Sequence, residues 1–225
     1  MIEVRTVPVF ALDLDLEAPG LHYKFELGSE AKRLSVGPGI VDILVAFLKQ
    51  QPLPQSLENY TTKLKVADGA GAIHIMPAGT APSGEYWRLL SQVNWYEIFY
   101  GKQPTGVPFF LDLKERIRAS YNPDFLLIDA RTGITEMGGI ATTLLPDSVV
   151  CLALASVEHL EGLRAVTLSP HAGRGRCGCV AGTRFYFVIA SEAKQSSPRR
   201  VFWIASSRSL LSGRPLRAGP VGSSQ

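Results

Sequence analysis

Cysteine is scarce in this chain: three residues in 225, at positions 151, 177 and 179. They are too few and too unevenly spaced for a disulfide framework. Cys177-Gly-Cys179 offers only two of the four ligands that a structural zinc site uses, so free thiols are expected. The four histidines, His22, His74, His159 and His171, have no cysteine or acidic partner at ligand spacing and are assigned to no metal. No apolar run approaches the roughly 18 residues that a membrane span needs. The first residues, with Glu3 and Arg5, lack a signal-peptide pattern. These absences predict a soluble, cytoplasmic protein without a metal framework. What is present, 225 residues of which 46% are hydrophobic, suffices for one sizeable α/β domain or a domain with an appendage.

Acid is also missing from one end. From Arg164 onward there are 10 Lys and Arg against a single acid, Glu192, and no Asp or Asn at all. The preceding residues carry 13 Lys and Arg against 19 Asp and Glu. The small total of +3 therefore hides a step from −6 to +9 along the chain. Such a step marks a boundary, here placed between 1–163 and 164–225.

Hydrophobic periodicity orders the first part. Val7 to Asp13 reads as a buried strand with an irregular start at Pro8. Gly39 to Lys49 reads as a helix packed against a sheet and stopped before Pro52. Ala72 to Met76 is a short strand closed by Pro77-Ala78-Gly79. Glu85 to Tyr100 is partly helical, with Tyr86, Leu89, Leu90 and Val93 on one face. Trp87, Trp95 and Tyr96 read as core or interface, and Lys63 and Lys65 as a solvated face. Pro108 to Ser120 is a helix with proline in its first turn, ended by Asn122-Pro123. Two apolar runs, Asp124–Asp129 and Ser148–Ala155, read as strands buried on both faces of a parallel sheet, with a helix from Gly138 to Leu145 between them. Alternating strands and helices predict an α/β fold with ligand groups at the carboxyl ends of the strands.

Three strand ends then carry the chemistry: Asp13 with Asp15, Pro77-Ala78-Gly79, and Asp129 followed by Arg131-Thr132-Gly133. Carboxylates so placed suit a magnesium ion bridging nucleotide phosphates, because Mg²⁺ takes one or two carboxylates and keeps several waters. The bland alternative is that each Asp merely ends its strand and binds turn amides. Taken together, "ALDLDLEAPGLH" at 11–22, "IMPAG" at 75–79, "PDFLLIDARTGITEMGGIATTLLPD" at 123–147 and "VVCLALAS" after it resemble the ParA/MinD-like ATPases with a deviant Walker motif, over most of residues 9–162. The resemblance implies a P-loop NTPase (Rossmann-like) fold, a mostly parallel sheet flanked by helices. It implies Mg²⁺ and ATP as cofactors and an ATP-dependent homodimer that positions a cargo on DNA or a membrane. Asp15 would orient the water attacking the γ-phosphate, Asp13 would support the metal shell, and Asp129 would reach Mg²⁺ through water. Arg131, Thr132 and Gly133 would line the nucleotide, with Gly133 giving the following loop its γ-phosphate sensing.

One part of that pattern is missing. In the family a loop of the Lys-Gly-Gly-Val-Gly-Lys/Arg-Thr type precedes the Asp-x-Asp strand by several tens of residues, whereas only about ten precede it here. Gly101-Lys102 has no glycine five residues upstream of Gly101, and Gly69-Ala-Gly71 has no lysine beside it. The expectation is a domain truncated at its N-terminus, binding ATP very weakly and hydrolysing none, because that loop's N–H groups and lysine supply most of the charge stabilisation for the phosphates. The family's strand between those corresponding to 124–129 and 148–155 is lost with it. Those two must pair directly, leave unsatisfied edges, or recruit a partner chain that completes the sheet.

After Gly162 the resemblance stops. "VIASEAKQSSPRRVFWIASSRSLL" resembles translated bacterial intergenic repeat DNA, which with the charge step predicts a frameshift near residue 163 and a poorly ordered tail, strand-like only over Thr183–Ala190. The functional alternative for the tail is nucleic-acid binding, with Phe185, Tyr186, Phe187, Phe202 and Trp203 stacking on bases; against it, these aromatics cluster instead of alternating with arginines.

Overall fold

The computed structural model describes residues 7–25, 37–65, 72–81, 83–131, 135–154, 156–168, 184–190 and 202–206. They fall into two compact units, one reaching Arg131 and including Glu136–Ala141, the other formed by Thr135 and the described residues from Thr142 onward. No helix among the described residues is long and apolar enough to cross a membrane.

The first unit is built around β1 (Val9–Asp13), whose last four residues are fully buried. It is the centre of a sheet with the order β2-β3-β1-β4, formed with β2 (Thr62–Lys65), β3 (Ala72–Met76) and β4 (Phe125–Asp129). β3 and β4 both run parallel to β1, pairing Val9 with Ile73 and Phe125, and Asp13 with Asp129. β2 closes one edge antiparallel to β3, setting exposed Lys63 opposite His74 and burying Leu64. This four-residue strand passes for a solvated face in sequence because only one of its side chains is apolar and buried.

α1 (Ile40–Leu48) buries Ile40, Val41, Ile43, Leu44 and Val45, the wide apolar girth expected of a helix laid on a sheet. The aromatic segment is two helices, α2 (Gly84–Leu90) and α3 (Trp95–Tyr100), because each has its own N-cap. Ser83 Oγ accepts from Tyr86 N–H at 3.1 Å, and Asn94 Oδ1 from Glu97 N–H at 3.3 Å. Tyr86 and Ile98 point inward, whereas Trp87 and Tyr96 are exposed and Trp95 is half-buried.

α4 (Gly106–Tyr121) buries Phe109, Leu113 and Ile117 at intervals of four, together with Phe110. Phe109 packs tilted on Phe47 with centroids 4.8 Å apart, and Phe110 stacks on Phe99 at 6.3 Å. The helix stops where Asn122 turns left-handed (φ 41°) and its N–H closes on the Arg118 carbonyl, one residue before Pro123. Asp124 N–H then bonds to the Pro8 carbonyl at 2.9 Å and starts the β1–β4 ladder.

β4 differs from its reading as a strand buried on both faces. It is an edge strand, with no partner on its outer side among the described residues, and Phe125 and Leu127 are 58% and 53% exposed. The segment expected to be one helix from Gly138 to Leu145 is a single turn, α5 (Glu136–Gly139), followed by a π-helical turn over Ile140–Leu144. Two glycines and then Thr142-Thr143 weaken regular α geometry there, and Pro146 ends it.

In the second unit β5 (Ser148–Leu154) pairs parallel with β6 (Arg184–Ala190), which pairs antiparallel with β7 (Phe202–Ser206); α6 (Val157–Leu168) follows β5. β6 lies where the sequence predicts a strand in the tail, and β7 adds one that it does not. β5 is likewise not buried on both faces, being at the edge of its sheet among the described residues: Val150 is 61% and Leu152 75% exposed. Among the described residues the strands at 125–129 and 148–154 belong to separate sheets.

Candidate functional site at the carboxyl ends of β1, β3 and β4

β1 sits between β3 and β4, so the chain winds to one side of β1 first and to the other side afterwards. The carboxyl ends of β1 and β4 therefore flank a topological switch point, the place where open α/β sheets bind ligands. The parallel register brings Asp13 and Asp129 side by side, and Leu14 N–H donates to the Asp129 carbonyl at 2.7 Å, extending the ladder past the strand ends.

Asp13 is fully buried. Its Oδ1 accepts from Asp15 N–H and its Oδ2 from Leu21 N–H, both at 3.1 Å, so the carboxylate ties the loop after β1 at two points. Burial pushes its pKa up to about 6; the two amide bonds oppose this, and the nearby charges of Asp129 and Asp15 add to it. Asp15 is half-buried and its Oδ1 accepts from Ala18 N–H at 3.3 Å, which closes a local turn. A third tie comes from α2, where buried Tyr86 donates its hydroxyl to the Leu16 carbonyl at 2.6 Å. Burial, followed by the fields of Asp13, Asp15 and Asp42, holds the Tyr86 phenol well above its ordinary pKa, so it stays a donor.

The β3 end is equally occupied. Ile40 and Val41 N–H donate to the carbonyls of Pro77 and Ala78 at 3.0 and 2.9 Å, and Gly39 N–H donates to Asp42 Oδ2 at 2.8 Å. The first-turn amides that could hold an anion are thus used internally. Gly39 is required for this approach, since a Cβ there would lie 2.0 Å from the Pro77 oxygen. A Cβ on Gly79 would meet the Tyr86 ring at 2.9 Å.

Of the residues implied for nucleotide binding, Asp13, Asp15, Asp129 and Arg131 are gathered at one end of the sheet. Thr132 and Gly133 lie outside the described residues. Asp129 is exposed at the end of β4, and Arg131 forms an ion pair with Glu17. No cluster of three or more His, Cys, Asp or Glu suited to hold a metal exists among the described residues. Both oxygens of Asp13 accept from backbone amides. Asp13, Asp15, Glu17 and Asp129 face a polyanion with Arg131 as the basic residue at the strand ends, already beside Glu17. Among the described residues the site does not fit a Mg²⁺-triphosphate.

Sequence reading missed Tyr86 as a tie for the loop, although its place on the inner face of α2 was visible. It also missed the burial of His22, which is 7% exposed, with Nδ1 unbonded and its pKa lowered by burial. No protein-family model matches this sequence, and no curated protein sequence matches it.

Proposed function

We propose that this chain carries part of a ParA/MinD-like ATPase switch domain and has no ATPase activity of its own. The observation that supports the reading is the in-register pair Asp13 and Asp129 at the switch point of a parallel sheet, with Asp15 two residues on. Against turnover stand the α1 amides bonded to Pro77 and Ala78, the Arg131–Glu17 pair, and the lack of a glycine-rich phosphate loop in these 225 residues. The test is a thermal shift of the full chain with Mg²⁺-ATP, with Asp15→Ala and Asp129→Ala as controls. The expected result is an unchanged melting temperature in all three. An increase in the wild type that either substitution abolishes would show a working site and sink the inactivity claim.

A second reading, a non-catalytic interaction module, is favoured by β4, which has no partner on its outer side among the described residues and leaves Phe125 and Leu127 exposed. Such an edge is a template for strand addition. Amide hydrogen exchange across 125–129 tests it. Protection beyond that of a one-sided edge is expected, and free exchange of the outward amides would refute recruitment of any strand.

A further inference from the structure

We infer that the outer side of β4 takes an extended peptide segment, apolar at its centre and basic at both ends, added as one more strand of the first unit's sheet. This rests on the interaction-module reading and names the chemistry of its partner.

Three observations within the first unit set that chemistry. β4 pairs with β1 on one side and has no strand partner on the other among the described residues. Every second residue of such a strand turns its N–H and C=O outward, and another extended backbone satisfies that row in full. Residues 125 and 127 share one face of the sheet and are 58% and 53% exposed, so a strand laid beside them covers them with apolar side chains at alternate positions. Asp124 and Asp129, both exposed, bracket the run, and the positive charge of Arg131 beyond it is already beside Glu17. A segment with carboxylates at its ends would meet like charge at both. One with lysine or arginine there is attracted.

Size decides between a segment and a folded partner. The five residues of β4, at about 3.3 Å each, make an edge of roughly 17 Å. With two exposed apolar side chains, that edge offers on the order of a few hundred Å², well short of the about 800 Å² per partner that a specific interface between folded proteins buries. A single added strand needs no more than this edge, because its affinity comes from main-chain hydrogen bonds and its specificity from alternate side chains.

The test uses the full chain and two end-capped, fluorescein-labelled peptides, Lys-Val-Ile-Val-Ile-Lys and the same sequence with glutamate at both ends. Fluorescence anisotropy is expected to show the lysine-ended peptide binding about tenfold more tightly, a preference that shrinks as salt is raised. Amide exchange at 125–129 is expected to slow when that peptide saturates the chain. Asp124→Lys, at an exposed position ahead of the strand, should weaken the lysine-ended peptide about threefold and strengthen the glutamate-ended one, with an unchanged circular dichroism spectrum. Equal binding of the two peptides would overturn the charge assignment and leave strand recruitment standing. Binding without slower exchange at 125–129 would overturn the β4 location. If neither peptide binds and the outward amides of 125–129 are already slow in the chain alone, the edge is covered before any peptide arrives, which overturns this inference but not strand recruitment. If neither binds and those amides exchange freely, both fall.

Discussion

Asp13 should make the first unit lose stability as pH rises, the reverse of an ordinary salt-bridged carboxylate. Its folded pKa is about 6 against 3.8 for the free side chain. The folded state therefore holds the proton more tightly than the unfolded chain. The contribution is fully present below pH 3.8, is lost as pH rises through 6, and leaves the cost of a buried charge at neutral pH. A shift of about two units at roughly 1.4 kcal/mol each amounts to about 3 kcal/mol across that window. Other carboxylates titrate over the same range, so the measurement must be differential. Asp13→Asn is the reference, because it is nearly isosteric and uncharged throughout. Asn offers one acceptor where Asp13 accepts from both Asp15 and Leu21, so it loses one amide bond at a pH-independent cost of about 1–3 kcal/mol. At neutral pH the two effects nearly offset. The wild-type advantage should nevertheless fall by about 2.4 kcal/mol from pH 4 to 7.5, the rest being lost below pH 4.

Urea unfolding followed by tryptophan fluorescence measures this. A Trp203→Phe background leaves Trp87 and Trp95, both in the first unit, as reporters. A difference that stays flat within about 0.5 kcal/mol would refute the argument that burial dominates at Asp13. A difference that rises with pH would be more informative still, because it would mean that the two amide bonds or a cation close to Asp13 outweigh burial. Repeating the titration with and without Mg²⁺ would then separate a metal from the amides.

Two further substitutions probe the same loop. Tyr86→Phe removes the donor to the Leu16 carbonyl and leaves a buried oxygen unbonded, so it should lower stability by about 1–3 kcal/mol in urea melts without moving the pH profile; no change would mean that the loop is held by Asp13 alone. Gly39→Ala drives a methyl group to 2.0 Å from the Pro77 oxygen and must separate α1 from the β3 end, with an expected loss of about 3 kcal/mol or more; a neutral result would refute that approach.

The elements that sequence alone locates are those whose pattern is local. α4 is legible because a first-turn proline, apolar residues at 109, 113 and 117, and Asn122-Pro123 all point to the same limits. β1 and β3 are legible because their apolar runs end in punctuating residues. The break between α2 and α3 is less so, since Asn94 acts as a cap only in partnership with the Glu97 amide. The β4 run Phe-Leu-Leu-Ile is as apolar as a central strand, and nothing in those residues says which neighbours exist. Burial of a parallel strand is a property of the sheet, supplied by other segments. The same holds for Asp13, where the sequence offers a metal-supporting carboxylate and an amide-binding one with equal ease.

That ambiguity separates the two roles on physical grounds. A carboxylate that accepts from two backbone amides and lies out of water has half of its acceptor positions tied to the fold. A metal could reach its remaining lone pairs only by entering the buried end of β1 beside those amides. Asp129, by contrast, is exposed at the end of β4. Whatever completes the outer side of β4 would therefore decide what Asp129 faces, while Asp13 remains part of the fold. On this argument the covering of the β4 edge decides what Asp129 faces, and a strand added at Phe125–Asp129 should move the titration of Asp13 only through the Asp129 charge, leaving the larger effect of burial in place.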